Sequence, residues 1–241
     1  MLTKNDELLC HQIHTTFDHV GTSDLRWTER IVFVAFDLSG KVNFITGMAR
    51  YANRNIMDAY GMVTIEDKKA HVVRVSRELR PEPADAIVGP YSYQVVEPLK
   101  KVRIALGEND YGLSFEIEGE GAFHPYEQPE MFSRYRGRVR EHARRYYQVG
   151  RPSGWLKVEG KTYNIDRERW RFLRDHSWGT RSGGGGGSLP EGSYLQPEEV
   201  PPGGLYCMGI FDFDEYLLHF EVREDWQGKP RHFAGWLFHP Y

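Results

Sequence analysis

One short stretch of the chain concentrates side chains that can do acid–base chemistry. It runs from Leu173 to Arg181 and reads LRDHSWGTR. Successive side chains of a β-strand point to opposite faces, so His176 and Trp178 would project side by side while Asp175 would point the other way. Histidine titrates near neutral pH, and an indole beside it supplies a large apolar wall. The stretch therefore predicts a small apolar pocket with one proton-transfer group.

The same residues also fit a structural corner without chemistry. In that interpretation Trp178 packs, Gly179 bends the strand, and Arg181 pairs with Asp175. Composition does not decide between the two interpretations.

Evenly spaced short strands are the dominant pattern along the chain. An apolar run at 31–36 ends in an Asp-Leu-Ser-Gly turn at 37–40, and 41–46 follows as its hairpin partner. Further strands are predicted at 60–65, 70–75, 91–96, 101–106, 113–118, 155–159 and 161–164. This spacing favours an all-β fold, an antiparallel barrel or sandwich, over an alternation of strands and helices.

A segment rich in glycine and proline divides the chain. It spans residues 182–204 and contains five consecutive glycines, which lose much conformational entropy when they are ordered. We therefore expect a flexible linker between a β domain at 1–181 and a shorter part at 205–241. Three strands are predicted in that shorter part, too few for an independent barrel, so it is interpreted as the start of a second, incomplete β unit.

Composition argues against several classes of function. The net charge is −3, which gives no general attraction to nucleic acid. The two cysteines, Cys10 and Cys207, have neither metal nor redox spacing, and no apolar run is long enough to span a membrane. The histidines form no metal signature, and nucleotide-binding glycine motifs do not occur. We expect a cytoplasmic protein without a transmembrane segment, metal or cofactor.

Arginine recurs at every second position between residues 134 and 140. On a strand these four side chains would share one face. That face is either a solvated outer surface or a site for an anionic group such as a carboxylate or phosphate.

The residues around His176 also resemble a known superfamily. The pattern Asp-His-Ser-Trp-Gly-x-Arg at 175–181 resembles the signature of the hydroxyneurosporene synthase (carotenoid 1,2-hydratase) and AttH-like superfamily. The resemblance covers residues 24–181 well and 205–241 loosely. Supporting pieces lie at 36–40, 51–54, 58–60, 93–99, 146–150 and 154–160. It implies a lipocalin-like barrel that binds an apolar, often isoprenoid-derived molecule, and a second half shorter than in the superfamily.

The resemblance also implies roles for individual residues. His176 and Trp178 carry over as pocket residues, with Asp175 as a further catalytic candidate and Arg181 as a ligand-binding one. A hydratase acting on an isolated alkene protonates carbon and stabilises a cation. Aromatic faces for that cation are expected from Trp178, Tyr60, Trp155 and Phe213. The acid is expected to be a carboxylic acid with a raised pKa, and the candidates are Asp212 and Asp214.

Three functions remain open at this stage. The first is a cofactor-free enzyme of hydratase, lyase or isomerase type that acts on an isoprenoid- or polyketide-like molecule. The second is a carrier or binding module on the same fold, and the third is a shortened structural domain without a complete site. A buried His176 beside an acid favours the first, an apolar cavity without an acid the second, and an open or collapsed centre the third. The substrate and the oligomeric state stay undetermined.

Overall fold

The computed structural model describes residues 2–7, 9, 13–66, 69–135, 138–181, 204–213 and 215–241. These residues form two compact units, which are described separately. The first takes in the described residues of 1–121 and 125–181, and the second those of 122–124 and 204–241. The predicted linker lies outside the described residues except for Gly204.

The first unit contains two 3₁₀ turns, Lys4–Glu7 and Ala52–Arg54, and one sheet of thirteen strands. The strands are β1 (Trp27–Asp37), β2 (Val42–Tyr51), β3 (Ile56–Ile65), β4 (Ala70–Glu78), β5 (Ile87–Val88), β6 (Tyr91–Glu97), β7 (Lys101–Leu106), β8 (Leu113–Gly121), β9 (Tyr126–Glu127), β10 (Met131–Tyr135), β11 (Arg138–Val158), β12 (Lys161–Ile165) and β13 (Trp170–Thr180).

The sheet is antiparallel and curls into a nearly closed barrel. Its order is β4-β3-β2-β1-β13-β11-β8-β7-β6-β5, and β9, β10 and β12 pair with β11. The end strands approach each other, and the guanidinium of Arg77 in β4 donates to the carbonyl oxygen of Ile87 in β5 at 2.7 Å. The all-β antiparallel barrel predicted from strand spacing is confirmed.

Strand β11 carries the sheet around a corner. Its first half pairs with β13 and its second half with β8, and Gly150 pairs with both neighbours. A Cβ on Gly150 would lie 2.1 Å from the carbonyl oxygen of Glu120, so only glycine allows the backbones to approach this closely. The corner brings β1, β13 and β11 side by side, and these three strands position the candidate site.

The barrel interior is aromatic. Phe33 of β1 and Phe172 of β13 stack with ring centroids 4.6 Å apart, and Phe115 meets Phe44 edge-on at 4.8 Å. The inward face of β13 therefore begins as hydrophobic core, with Trp170 and Phe172 both buried. Polar residues enter this face only further along the strand.

Phe172→Ala is expected to lower the free energy of unfolding by ~3–5 kcal/mol, since removing a buried ring leaves a cavity in the core. Urea denaturation followed by circular dichroism measures this loss. Phe36→Ala is the matched control, because Phe36 is 40% exposed. Equal losses in the two variants would contradict the assignment of Phe172 to the core.

The second unit is a small three-stranded antiparallel sheet. It consists of β14 (Leu205–Asp212), β15 (Leu217–Glu224) and β16 (Pro230–Phe238), in that order. Within it, His219 stacks on Trp236 with centroids 5.1 Å apart, and burial lowers the pKa of His219. None of the helical segments in the described residues has the length and apolar character needed to cross a bilayer.

Candidate functional site

The imidazole of His176 lies between a carboxylate and a phenol. Its Nε2 is 3.1 Å from Oε1 of Glu29, and its Nδ1 is 3.3 Å from the hydroxyl oxygen of Tyr146. Strand pairing produces this arrangement, because β13 runs between β1 and β11 and His176 pairs directly with Ile31 and Tyr146. We call Glu29, His176 and Tyr146 the acid–base relay.

The acid–base relay is partly exposed to solvent, and we call this part of the barrel its open end. Phe172 and Arg174, earlier on the same face of β13, are buried. The side chains of His176 and Glu29 are 28% and 34% exposed. The imidazole is therefore in contact with solvent as well as with the barrel wall.

Two aromatic rings flank the imidazole. The rings of Tyr146 and Trp178 each lie 5.3 Å from it, centroid to centroid, and both meet it edge-on. Trp178 shares the face of His176 because it follows two positions along β13. The open end thus combines one proton-transfer group with apolar walls.

Glu29 is held as a carboxylate. Burial by itself would raise its pKa, but the hydrogen bond from His176 and the charge of Arg50 outweigh burial and lower the pKa. A guanidinium nitrogen of Arg50 lies 3.9 Å from Oε2 of Glu29. Since a carboxylate only accepts hydrogen bonds, Nε2 of His176 carries the donated proton. In the neutral imidazole Nδ1 is then the acceptor that faces the Tyr146 hydroxyl.

The lowered pKa of Glu29 gives a pH dependence with a definite sign. Because the pKa of Glu29 is lower in the folded protein than the ordinary value of 4.5, its ionisation stabilises the fold at pH values above 4.5. This stabilisation is lost as the pH falls through the folded-state pKa. The stability advantage of wild type over Glu29→Gln is therefore expected at pH 7 and should shrink as the pH drops below about 4.5. Urea titrations at a series of pH values measure it, and an advantage that grows on acidification contradicts the assignment.

Arg174 brings a buried positive charge beneath the relay. It is 5% exposed, its Nε donates to Oε1 of Gln148 at 2.8 Å, and its guanidinium lies 5.7 Å from the ring centroid of Tyr146. Within the described part of the chain, its Nη2 is buried without a hydrogen-bond partner. Burial raises the pKa of nearby Tyr93 to about 12, against the opposing charge of Arg174, so this phenol stays neutral.

A small cavity joins Arg174 to His176. The cavity has room for about one water molecule, because the centre of a water could move within a volume of about 10 Å³. Its walls include Phe33, Tyr91, Tyr93, Ile104, Arg174 and His176. The interior therefore accommodates one small polar atom, and a larger ligand must rest on the open end.

Three of the predicted site residues lie apart from His176. Asp175 projects from the opposite face of β13 and pairs with Arg145, its Oδ2 lying 3.3 Å from the guanidinium Nε. Tyr60 lies on that outer face too. Directly paired residues of a sheet share a face, and the pairs Asp175–Val32, Val32–Gly47 and Gly47–Tyr60 connect the two residues. The charge of Asp175 also acts on Arg181, which is buried.

The other predicted residues belong to different parts of the chain. Trp155 is exposed in the second half of β11. Asp212 ends β14 in the second unit, where Phe213 stacks on Tyr216 with centroids 4.7 Å apart. Asp214 lies outside the described residues. Among the residues that the structure describes, no three His, Cys, Asp or Glu side chains come together as metal ligands.

A family profile matches residues 2–240, that is, nearly the whole chain. The chain belongs to DUF8625, a family of unknown function. No curated protein matches it.

Two solved structures are similar to this DUF8625 member in fold. Kievitone hydratase from Nectria haematococca superposes with a TM-score of 0.52 at 11% identity, over 91% of this chain and 64% of that one. CghA with Sch210972 superposes with a TM-score of 0.51 at 10% identity, over 89% and 58%. The chain thus spans less than two thirds of either neighbour, and the likeness shows the barrel fold alone.

Three members of the candidate site were not predicted from the sequence: Glu29, Tyr146 and Arg174. Glu29 could have been predicted from the sequence, because it is a carboxylate on the same face of β1 as the apolar residues Trp27 and Ile31. Arg174 could have been predicted in the same way, because it lies between Phe172 and His176 on the inward face of β13. Tyr146 had no such signal, since only the pairing of β11 with β13 places it beside the imidazole.

Proposed function

We propose that this DUF8625 member binds an apolar small molecule at the open end of its barrel and catalyses cofactor-free acid–base chemistry of hydratase, lyase or isomerase type. The observation that carries the proposal is the acid–base relay, in which a carboxylate, an imidazole and a phenol are joined at 3.1 and 3.3 Å. The fold shared with kievitone hydratase and the resemblance of 175–181 to the hydroxyneurosporene synthase and AttH-like superfamily support it.

In this proposal the relay moves one proton. Glu29 fixes the Nε2–H tautomer of His176, so Nδ1 is the basic nitrogen and accepts a proton from the Tyr146 hydroxyl. The phenol in turn exchanges protons with the ligand or with a water at the open end. A positioned acid–base pair of this kind gives a rate gain of ~10²–10⁴.

The buried charge of Arg174 argues for an anionic intermediate. A guanidinium close to the site disfavours a carbocation and stabilises an enolate oxygen. The substrate class is then an alkene conjugated to a carbonyl group, whose oxygen fits the water-sized cavity beside Arg174. During hydration, water gives its proton to the relay and its hydroxyl adds to the β-carbon. The electron pair moves to the carbonyl oxygen, and the relay returns the proton to the α-carbon.

A ligand screen followed by isotope labelling tests the proposal. Terpenoid and polyketide-like enones are ranked by quenching of tryptophan fluorescence. Those that bind are then incubated with the protein in ¹⁸O-labelled water and analysed by mass spectrometry. The expected result is a product heavier by one labelled water, or its reverse for a hydroxy ketone. Binding without any mass change across the bound compounds would rule out the hydratase and lyase forms of the proposal.

A carrier without turnover is the second candidate function. The aromatic rings beside His176 favour it, since they offer an apolar surface, whereas the interior cavity has room for about one water and is far below the ~300–1,000 Å³ of typical ligand pockets. A carrier would bind its ligand on the aromatic surface of Tyr146 and Trp178 alone. Binding insensitive to His176→Ala, with no conversion by wild type, is the signature of this function.

Trp178→Ala is expected to weaken ligand binding by ~10–100-fold, because it removes a large apolar wall from the open end. Fluorescence titration is unsuitable if this indole is the reporter, so isothermal calorimetry measures the affinity. Trp155→Ala is the control, since that indole is exposed elsewhere on the barrel. Equal affinities of Trp178→Ala and wild type would place the ligand away from the open end.

A further inference from the structure

Arginines gather on the outer face of the same three strands. Arg30 of β1, Ser177 of β13 and Arg145 of β11 are direct partners across the two ladders, so they lie side by side. This face is opposite to that of His176. Arg181 directly follows β13, and the charges of Arg30 and Arg145 act on it.

Arg181 carries a buried edge of unused donors. The residue is 5% exposed, and both its Nε and its Nη2 are buried without a hydrogen-bond partner in the described structure. These two nitrogens form one side of the planar guanidinium, and their N–H bonds point in parallel at the spacing of two oxygens of a carboxylate or phosphate. A buried donor without a partner costs free energy, so an acceptor that binds to this edge would recover that free energy.

Further donors without partners lie on the same face of the sheet. Ser177 is fully buried, and its hydroxyl oxygen has no hydrogen-bond partner among the described residues. The same holds for Nε of Arg30.

The charge balance at this face is positive. Burial, together with the charges of Arg30 and Arg145, lowers the pKa of Arg181 to about 10, and the charges of Asp175 and Glu141 oppose this shift. Three guanidinium groups therefore face two carboxylates. One of these carboxylates is already occupied, because Asp175 forms its ion pair with Arg145.

We propose that the outer face of β1, β13 and β11 binds a small oxyanion through the Nε–Nη2 edge of Arg181, with Ser177 and Arg30 as further donors. The site is independent of the proposed reaction, since it lies on the other side of the sheet from the acid–base relay. It also differs from the arginine series at 134–140, which the sequence pattern singled out.

Calorimetric titration with inorganic phosphate at constant ionic strength tests this site, with acetate as a second oxyanion. Wild type is expected to bind at least one of the two saturably. Arg181→Gln should weaken that binding by about tenfold or more, the worth of a charge-assisted bidentate contact. Ser177→Ala removes one donor with little change in volume, so it tests the site even if Arg181→Gln does not fold, and it should weaken binding several-fold.

Arg103→Gln is the matched control, because Arg103 is a half-exposed arginine on β7. It removes the same charge and should leave the affinity unchanged. Saturable binding of neither anion to wild type overturns the proposal. An equal loss in Arg103→Gln and Arg181→Gln also overturns it, since the effect would then follow net charge alone.

Discussion

Turnover by His176→Ala is expected to fall by ~10²–10⁴ relative to wild type, with ligand affinity nearly unchanged. The imidazole contacts both other members of the acid–base relay, so its removal breaks the connection that it makes between Glu29 and Tyr146. Ligand affinity is expected to depend mainly on the rings of Tyr146 and Trp178, which the substitution leaves in place. Steady-state kinetics with a converted ligand, combined with calorimetric binding, measure the two effects separately.

His71→Ala is the control for that experiment. His71 also faces a glutamate, with its Nδ1 3.7 Å from Oε1 of Glu159, but it lies near the start of β4. Its removal should leave turnover unchanged. If wild type and His176→Ala convert a bound ligand at the same rate, the imidazole has no part in the reaction.

Tyr146→Phe is expected to cause the second large loss, again ~10²–10⁴ in turnover. The variant keeps the ring that flanks His176 and removes only the hydroxyl that faces Nδ1, so ligand binding should persist. Burial raises the pKa of Tyr146, against the opposing charge of Arg174, and this keeps the phenol protonated at neutral pH. The same kinetic and binding measurements therefore apply.

Tyr147→Phe is its matched control. Tyr147 is the next residue of β11 and points to the other face, where its hydroxyl accepts a hydrogen bond from Arg145 at 2.6 Å. That variant should retain full turnover. Full turnover by Tyr146→Phe would instead show that the Tyr146 hydroxyl takes no part in proton transfer. His176 would then exchange protons with the ligand directly.

Local sequence patterns predicted the strands and the shared face of His176 and Trp178. The apolar run at 31–36 lies inside β1, and the pattern at 161–164 lies inside β12. The shared face of His176 and Trp178 follows from two-residue alternation, which needs no knowledge of neighbouring strands. The three late strands were also predicted, and a small second sheet is present.

Contacts across the sheet could not be predicted in this way. Tyr60 lies on the outer face because the registers of β1, β2 and β3 place it opposite Gly47, and register depends on the whole barrel. The partners of His176 come from residues 147 and 30 positions away in the chain. A local pattern identifies the imidazole, but only the order of the strands identifies Glu29 and Tyr146 as its partners.

Solvent deuterium exchange is the most direct test of proton transfer at the open end of the barrel. A bound enone or hydroxy ketone is incubated with the protein in D₂O, and NMR follows the hydrogen on its α-carbon. Wild type is predicted to exchange that hydrogen. His176→Ala is predicted to exchange it at least ~100-fold more slowly and to retain binding. Exchange at equal rates in the two proteins, or no exchange of any bound ligand by wild type, would contradict the acid–base relay.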